Sequence, residues 1–195
     1  MRRAFLALAM LAAAAPGAKA NWEAVERVEP YSISGTTGIE LYQSIGARGP
    51  KIGIGRAIAY TNFDLKWSRD YQPQPDGSCV LVTARPNLII TYALPKPSST
   101  LAPAMKLAWD RFIDGIRAHE KVHGEDIKEM VRAIEAYSVG LSAPDDARCQ
   151  KVRQKLQARL GELSQAQRQK SRDFDRVEMS SGGNIHQLIL TLVNG

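Results

Sequence analysis

Two periods divide the chain. Up to about residue 95 apolar side chains tend to recur at every second position, and beyond about residue 100 they recur every three or four. A period of two belongs to a strand with one buried face, and a period of 3.6 to an amphipathic helix. The clearest alternation lies in residues 56–67, where Phe63, Leu65 and Trp67 interleave with Asn62, Asp64 and Lys66. Residues 79–84 and 88–94 read as two more strands, with Leu88, Ile90, Tyr92 and Leu94 on one face. Arg85-Pro86-Asn87 is the turn expected between them. Residues 31–35 and 40–42 are shorter β-compatible pieces, broken by Gly35 and Gly38. Residues 45–55 and 71–77 are rich in glycine and proline and read as loops.

The period changes across residues 95–99, Pro-Lys-Pro-Ser-Ser, which read as a linker. A helix is expected from about Thr100, a capping hydroxyl, to about Tyr137, with Pro103 in its first turn. Trp109, Phe112, Ile116, Ile127, Met130 and Ile134 supply its apolar stripe, and Gly140 and Pro144 end it. A second helix reads from about residue 145 to 173 on the stripe Val152, Leu156, Leu160 and Leu163. Its other faces are crowded with Lys and Arg, the composition of a solvated helix face. A polar island with Asp175 and Glu178 follows, then Ser180-Ser181-Gly182-Gly183 and an apolar run over residues 185–193. The predicted fold is α+β, an antiparallel β-rich half followed by two long helices.

Chemistry enters on the first long helix. Residues 119–123 read His-Glu-Lys-Val-His, the pattern H-E-x-x-H, and use two of the three histidines in the chain. Residues four apart share a helix face, so His119 and His123 can aim two imidazoles at one point. Two neutral imidazoles and a third protein ligand suit Zn²⁺ and leave one position for water. Glu120 stands beside them as a general base for that water. The extended H-E-x-x-H-x-x-G-x-x-H pattern is absent. The third ligand is therefore sought among Asp, Glu and the remaining histidine. Asp175 is the first choice, with Glu178 and His186 as alternatives. Asp126 and Glu129 lie on the motif helix and are placed as acceptors that orient the imidazoles. Tyr60, Tyr92 and Tyr137 are the tyrosines open to an oxyanion role.

Composition changes the picture at the N-terminus. Met1-Arg2-Arg3, an apolar run over residues 4–15 and Ala18-Lys19-Ala20 have the form of a signal peptide over residues 1–20. The run is too short for a comfortable span, so no membrane anchor is expected after cleavage. Residues 21–195 are long enough for one domain with a real core. The formal net charge of +6 includes Arg2, Arg3 and Lys19. Without them 23 basic side chains face 20 acidic ones, a net +3 that argues against a nucleic-acid partner. In an exported chain, periplasmic or secreted, the two cysteines Cys79 and Cys149 are expected to form one disulfide. No G-x-x-x-x-G-K-[ST] occurs, so a phosphate-binding loop is excluded.

The landmarks also carry a resemblance. They are residues 31–37, residues 57–67 with Thr61 and Trp67, Cys79, residues 88–95, Trp109, the 119–123 motif, Cys149 and Phe174-Asp175-Arg176. In this order they resemble a bacterial family of predicted secreted zinc-dependent proteases. The resemblance spans nearly the whole mature chain and implies a zincin-like peptidase with His119 and His123 as ligands and Glu120 as base. Members often end on Tyr-Asp followed by His-Gly. Here Phe174-Asp175 keeps the Asp, but Ser180, Ser181 and Gly182 stand where His-Gly would fall. That departure points the third ligand to Asp175.

Two functions from different classes meet these features. One is a zinc peptidase acting on protein or peptide substrates. The other is a cell-envelope binding or structural protein that holds zinc without turnover. Glu120 separates them, because a purely structural site needs ligands but no base.

Overall fold

A computed structural model describes residues 22–195; the signal peptide expected over residues 1–20 lies outside them. Nine residues, Val25–Ile33, form strand β1, and helix α1 follows over Gly38–Arg48. A small antiparallel hairpin, β2 (Lys51–Ile52) and β3 (Gly55–Arg56), leads to the long strand β4 (Tyr60–Pro73). Strand β5 (Cys79–Pro97) returns beside β4. Helix α2 (Pro103–Ser138) comes next, followed by the two-residue strand β6 (Ser142–Ala143). Helices α3 (Gln150–Met179) and α4 (Asn184–Asn194) complete the chain. The architecture is α+β, a strand-rich half followed by long helices.

The sheet is mixed rather than antiparallel. Its order is β1-β5-β4, with β4 antiparallel and β1 parallel to β5. A parallel neighbour needs a crossover, whereas the sequence pattern suggests only hairpin connections. Part of that crossover is α1. Residues 40–42 are helical, not β, because Thr37 and Glu40 form a capping box.

The turn expected at residues 85–87 is also absent, and β5 runs unbroken through it. Pro86 pairs with Trp67 of β4. On the other edge of β5, β6 reaches only Val80 and β1 begins at Ile89. Pro86 therefore sits where one edge has no strand, a position that tolerates a missing N–H. A bulge at Asp70/Tyr71 adds a residue to β5 and reverses its buried parity, from Cys79 and Leu81 to Ala84, Leu88, Ile90, Tyr92 and Leu94. One strand thereby serves two apolar clusters. The larger joins Leu88, Ile90 and Leu94 to Phe112, Ile116, Ile127 and Val131 of α2, with Ile185 and Leu192 of α4. The smaller gathers Leu81, Ala143, Val152 and Leu156 around the Cys79–Cys149 disulfide. That bond is separated by 70 residues in sequence and is worth about 4 kcal/mol in the chain-entropy model.

The helices differ from expectation at their ends. Ala102 precedes α2 without a side-chain cap, and Pro103 opens the helix instead of Thr100. The second long helix starts at Gln150, where the buried Asp146 carboxylate accepts from the Gln150 and Val152 amides. It extends to Met179, so Asp175 and Glu178 belong to α3 rather than to an island after it. No helix among the described residues is long and apolar enough to cross a membrane.

Candidate metal centre

The buried stripe of α2 runs Phe112, Ile113, Ile116, His119, Glu120, Ile127 and Met130. His119 and Glu120 thus occupy positions that a core-facing helix normally gives to apolar side chains. His123 lies one turn on, largely covered. The last turns of α3 pack across this face and bring up Asp175. Its Oδ1 lies 3.1 Å from His119 Nε2 and 2.9 Å from His123 Nε2, and the two nitrogens are 3.2 Å apart. Donors about 2.0–2.1 Å from one tetrahedral ion are spaced by roughly 3.3 Å. The three atoms approach that spacing, and among the described residues they are the trio of His, Cys, Asp and Glu side chains that converges in this way.

The rings are held from the side by Phe174. It stacks on His119 at 4.7 Å between centroids and meets His123 edge-on at 5.5 Å. His119 Nδ1 is buried and has no hydrogen-bond partner. Glu178 Oε2 stands 3.7 Å from it, beyond hydrogen-bonding distance but on the side where an orienting carboxylate belongs. Asp126 and Glu129, expected in that role, instead take Lys170 of α3 at 2.9 and 2.6 Å. His186 is removed from the cluster, with its Nδ1 accepting from the Gly182 amide.

Glu120 faces the same space. Thr61 of β4 donates its hydroxyl to Glu120 Oε2 at 2.6 Å. Burial raises the affinity of the Glu120 carboxyl for a proton, an effect opposed by Thr61 and by the nearby imidazoles. The Asp175 carboxyl is held well below its ordinary range. Burial acts against this, and the contacts from His119 and His123 overcome it. His123 shifts upward, because Asp175 and Glu120 outweigh its desolvation. Two carboxyl groups share this space with two imidazoles, and among the described residues no Lys or Arg forms an ion pair with Asp175, Glu120 or Glu178.

His119, Glu120, His123 and Asp175 lie in a cleft of about 510 Å³ between β4, α2 and α3. Ile116, Ile127, Met130 and Ile185 form its apolar lining. On the other wall, residues 57–63 lead into β4, whose outer edge has no partner strand among the described residues. Of the three tyrosines, Tyr60 alone lines the cleft. Tyr92 bonds Glu26 instead, and Tyr137 lies under Arg159.

Sequence reasoning misses the roles of Thr61, Phe174 and Glu178. Thr61 does carry a signal. It shares strand parity with Phe63, Leu65 and Trp67, so it is a hydroxyl on the inward face. Phe174 stands next to Asp175 but has no periodic pattern to mark it, and Glu178 reads from the sequence only as a ligand.

The chain belongs to a bacterial protein family of unknown function, DUF922, which matches residues 28–183. That stretch includes α2 and all but the last of the helices. No curated protein and no solved structure matches the chain.

Proposed function

We propose that this protein is an exported zinc-dependent peptidase with a zincin-like site. His119, His123 and Asp175 hold the ion, and Glu120 is the general base. The observation that carries this reading is the convergence of two imidazole nitrogens and one carboxylate oxygen within 3.2 Å, beside a second carboxylate in the same cleft. Three protein donors leave a tetrahedral ion one open position, as hydrolysis requires. The orphaned Nδ1 of His119, with Glu178 beyond it, suits a metal-bound ring. The disulfide suits an oxidising compartment, which supports export.

A bound zinc ion supplies Lewis acidity toward a water and toward the oxygen of the scissile carbonyl. Thr61 fixes one oxygen of Glu120 and leaves the other to take a proton from the attacking water. Burial makes Glu120 a better proton acceptor than a solvated carboxylate, and the same group passes the proton to the leaving amine. The free edge of β4 offers backbone groups to an extended chain, which favours a peptide as substrate.

The test is zinc content and hydrolysis of a peptide library by the protein and by Glu120→Gln. One zinc per chain in both is expected, with kcat reduced by about 10² or more in the variant. Zinc in both with no turnover by either would leave a zinc-holding envelope protein as the better reading. A chain that binds no zinc ends the proposal.

A further inference from the structure

The cleft has a wall of which the proposed catalysis uses only Asp175. Ser164, Gln167, Arg168, Ser171, Arg172 and Asp175 line it from α3 at spacings of three and four, so they form one stripe of that helix. Two of these six are arginines. Elsewhere on α3 the basic side chains are matched. Arg159 pairs with Glu162, Lys170 with Asp126 and Glu129, and Arg176 with Asp173. Arg153 lies over Tyr71, and Lys151 and Lys155 donate to backbone carbonyls. Arg168 and Arg172 differ. Among the described residues neither meets a carboxylate, and Arg172 donates only to the Gln169 amide oxygen, at 2.5 Å. Both are exposed, and like charges four apart on a helix repel each other. An anion entering the cleft relieves that repulsion and finds ten guanidinium N–H donors, most of them unengaged.

We infer that Arg168 and Arg172 bind a carboxylate of the substrate. The ligand class is a peptide with an acidic side chain or a free C-terminal carboxylate near the bond to be cut, a refinement that rests on the peptidase reading. Along the α3 axis Arg172 lies about 4.5 Å and Arg168 about 10.5 Å before Asp175, from a rise of about 1.5 Å per residue. An extended peptide advances about 3.3 Å per residue, so the carboxylate sits roughly one to three residues from the site. The rest of the wall, Ser164, Gln167 and Ser171, is neutral and hydrogen-bonding, while Ile58, Phe63, Ile116 and Met130 make part of the opposite lining apolar. A chain with one charged group and apolar neighbours matches both sides.

Binding without turnover separates this inference from the peptidase reading. Labelled peptides are titrated by fluorescence anisotropy into the zinc-loaded Glu120→Gln protein, while hydrolysis is followed with the unmodified protein. One arm places Glu or Gln at each position of C-terminally amidated peptides. The other compares neutral peptides with free or amidated C-termini. Tighter binding of about ten-fold is expected in one arm, fading with added salt, and the arm identifies the source of the carboxylate. Arg168→Glu/Arg172→Glu should abolish or invert the preference while zinc stoichiometry stays unchanged. Arg168→Gln/Arg172→Gln repeats the test if charge reversal impairs folding. Equal affinity for charged and neutral peptides, binding of none of them, or a preference that survives both double variants would overturn the inference. Hydrolysis by the unmodified protein with no carboxylate preference would overturn this inference alone.

Discussion

The two sides of α2 around residues 119–128 carry similar numbers of charged and polar groups arranged to opposite ends. Toward α3, His119, His123 and Asp175 converge with Glu120 beside them, and no Lys or Arg among the described residues pairs with either carboxylate. Toward the sheet, Glu26 of β1 accepts from Lys121, Lys128 and the Tyr92 hydroxyl. Gly124 lets that hydroxyl approach, since a Cβ there would stand 2.2 Å from it. The second cluster is complete in itself and staples β1, β5 and α2 together. The first has no Lys or Arg partner among the described residues, which supports the metal site proposed above. A polar cluster closed by its own counter-charges reads as structure, and one left open reads as a binding site.

The largest test of that contrast removes a donor. His123→Ala is expected to abolish stoichiometric zinc binding at micromolar metal, with denaturation of the metal-free chain nearly unchanged, as measured by metal analysis and urea unfolding. Unaltered zinc content would show that the ion, if bound, sits elsewhere. The converse test is Gly124→Ala. The new methyl must displace Tyr92, at an overpacking cost of about 1–3 kcal/mol. The better helix propensity of alanine returns roughly 1 kcal/mol of that. Stability should fall while zinc stoichiometry stays at one. A stability above that of the parent would mean that the close approach of Tyr92 contributes nothing.

Two smaller effects sharpen the comparison. Glu178→Gln should weaken zinc binding by about ten-fold without lowering stability, as expected for a carboxylate that orients a metal-bound ring. A larger loss, equal to that of a ligand, would move Glu178 into the ligand set. On the other side, burial pushes the Glu26 carboxyl upward, but Lys121, Lys128 and Tyr92 bring it from an ordinary 4.5 down to about 2. A depressed carboxyl stabilises the fold above its unfolded value and ceases to do so as pH falls through its folded one. The stability gap between the protein and Glu26→Gln should therefore be constant from neutral pH to about 5 and close toward pH 2. A gap independent of pH over that window would remove Glu26 as its cause.

Much of the molecule is legible in its amino-acid sequence. Strand β4, the 88–94 face, the first long helix and the cysteine pair all follow from period and composition, because each rests on contacts that recur locally or on a count of two. Sequence and structure part where a distant partner decides. Residues 40–42 are the exception, since the capping box that makes them helical, Thr37 with Glu40, is itself local. Pro86 resembles a turn residue because the free edge beside it is set by where β1 and β6 happen to stop. Asp126 and Glu129 are spaced to serve the imidazoles, yet Lys170, more than forty residues on, claims both.

The sequence by itself determined that His119 and His123 share a helix face, with Glu120 adjacent, because 3.6 residues per turn leave no other arrangement. Only the tertiary structure decided what completes them. Asp175 lies 52 residues beyond His123, and Thr61 lies 59 residues before Glu120. Their places depend on how α3 and β4 pack against α2, and on the disulfide that ties the start of α3 to the sheet. Packing of that kind is set by the summed burial of many side chains, so no local pattern encodes it.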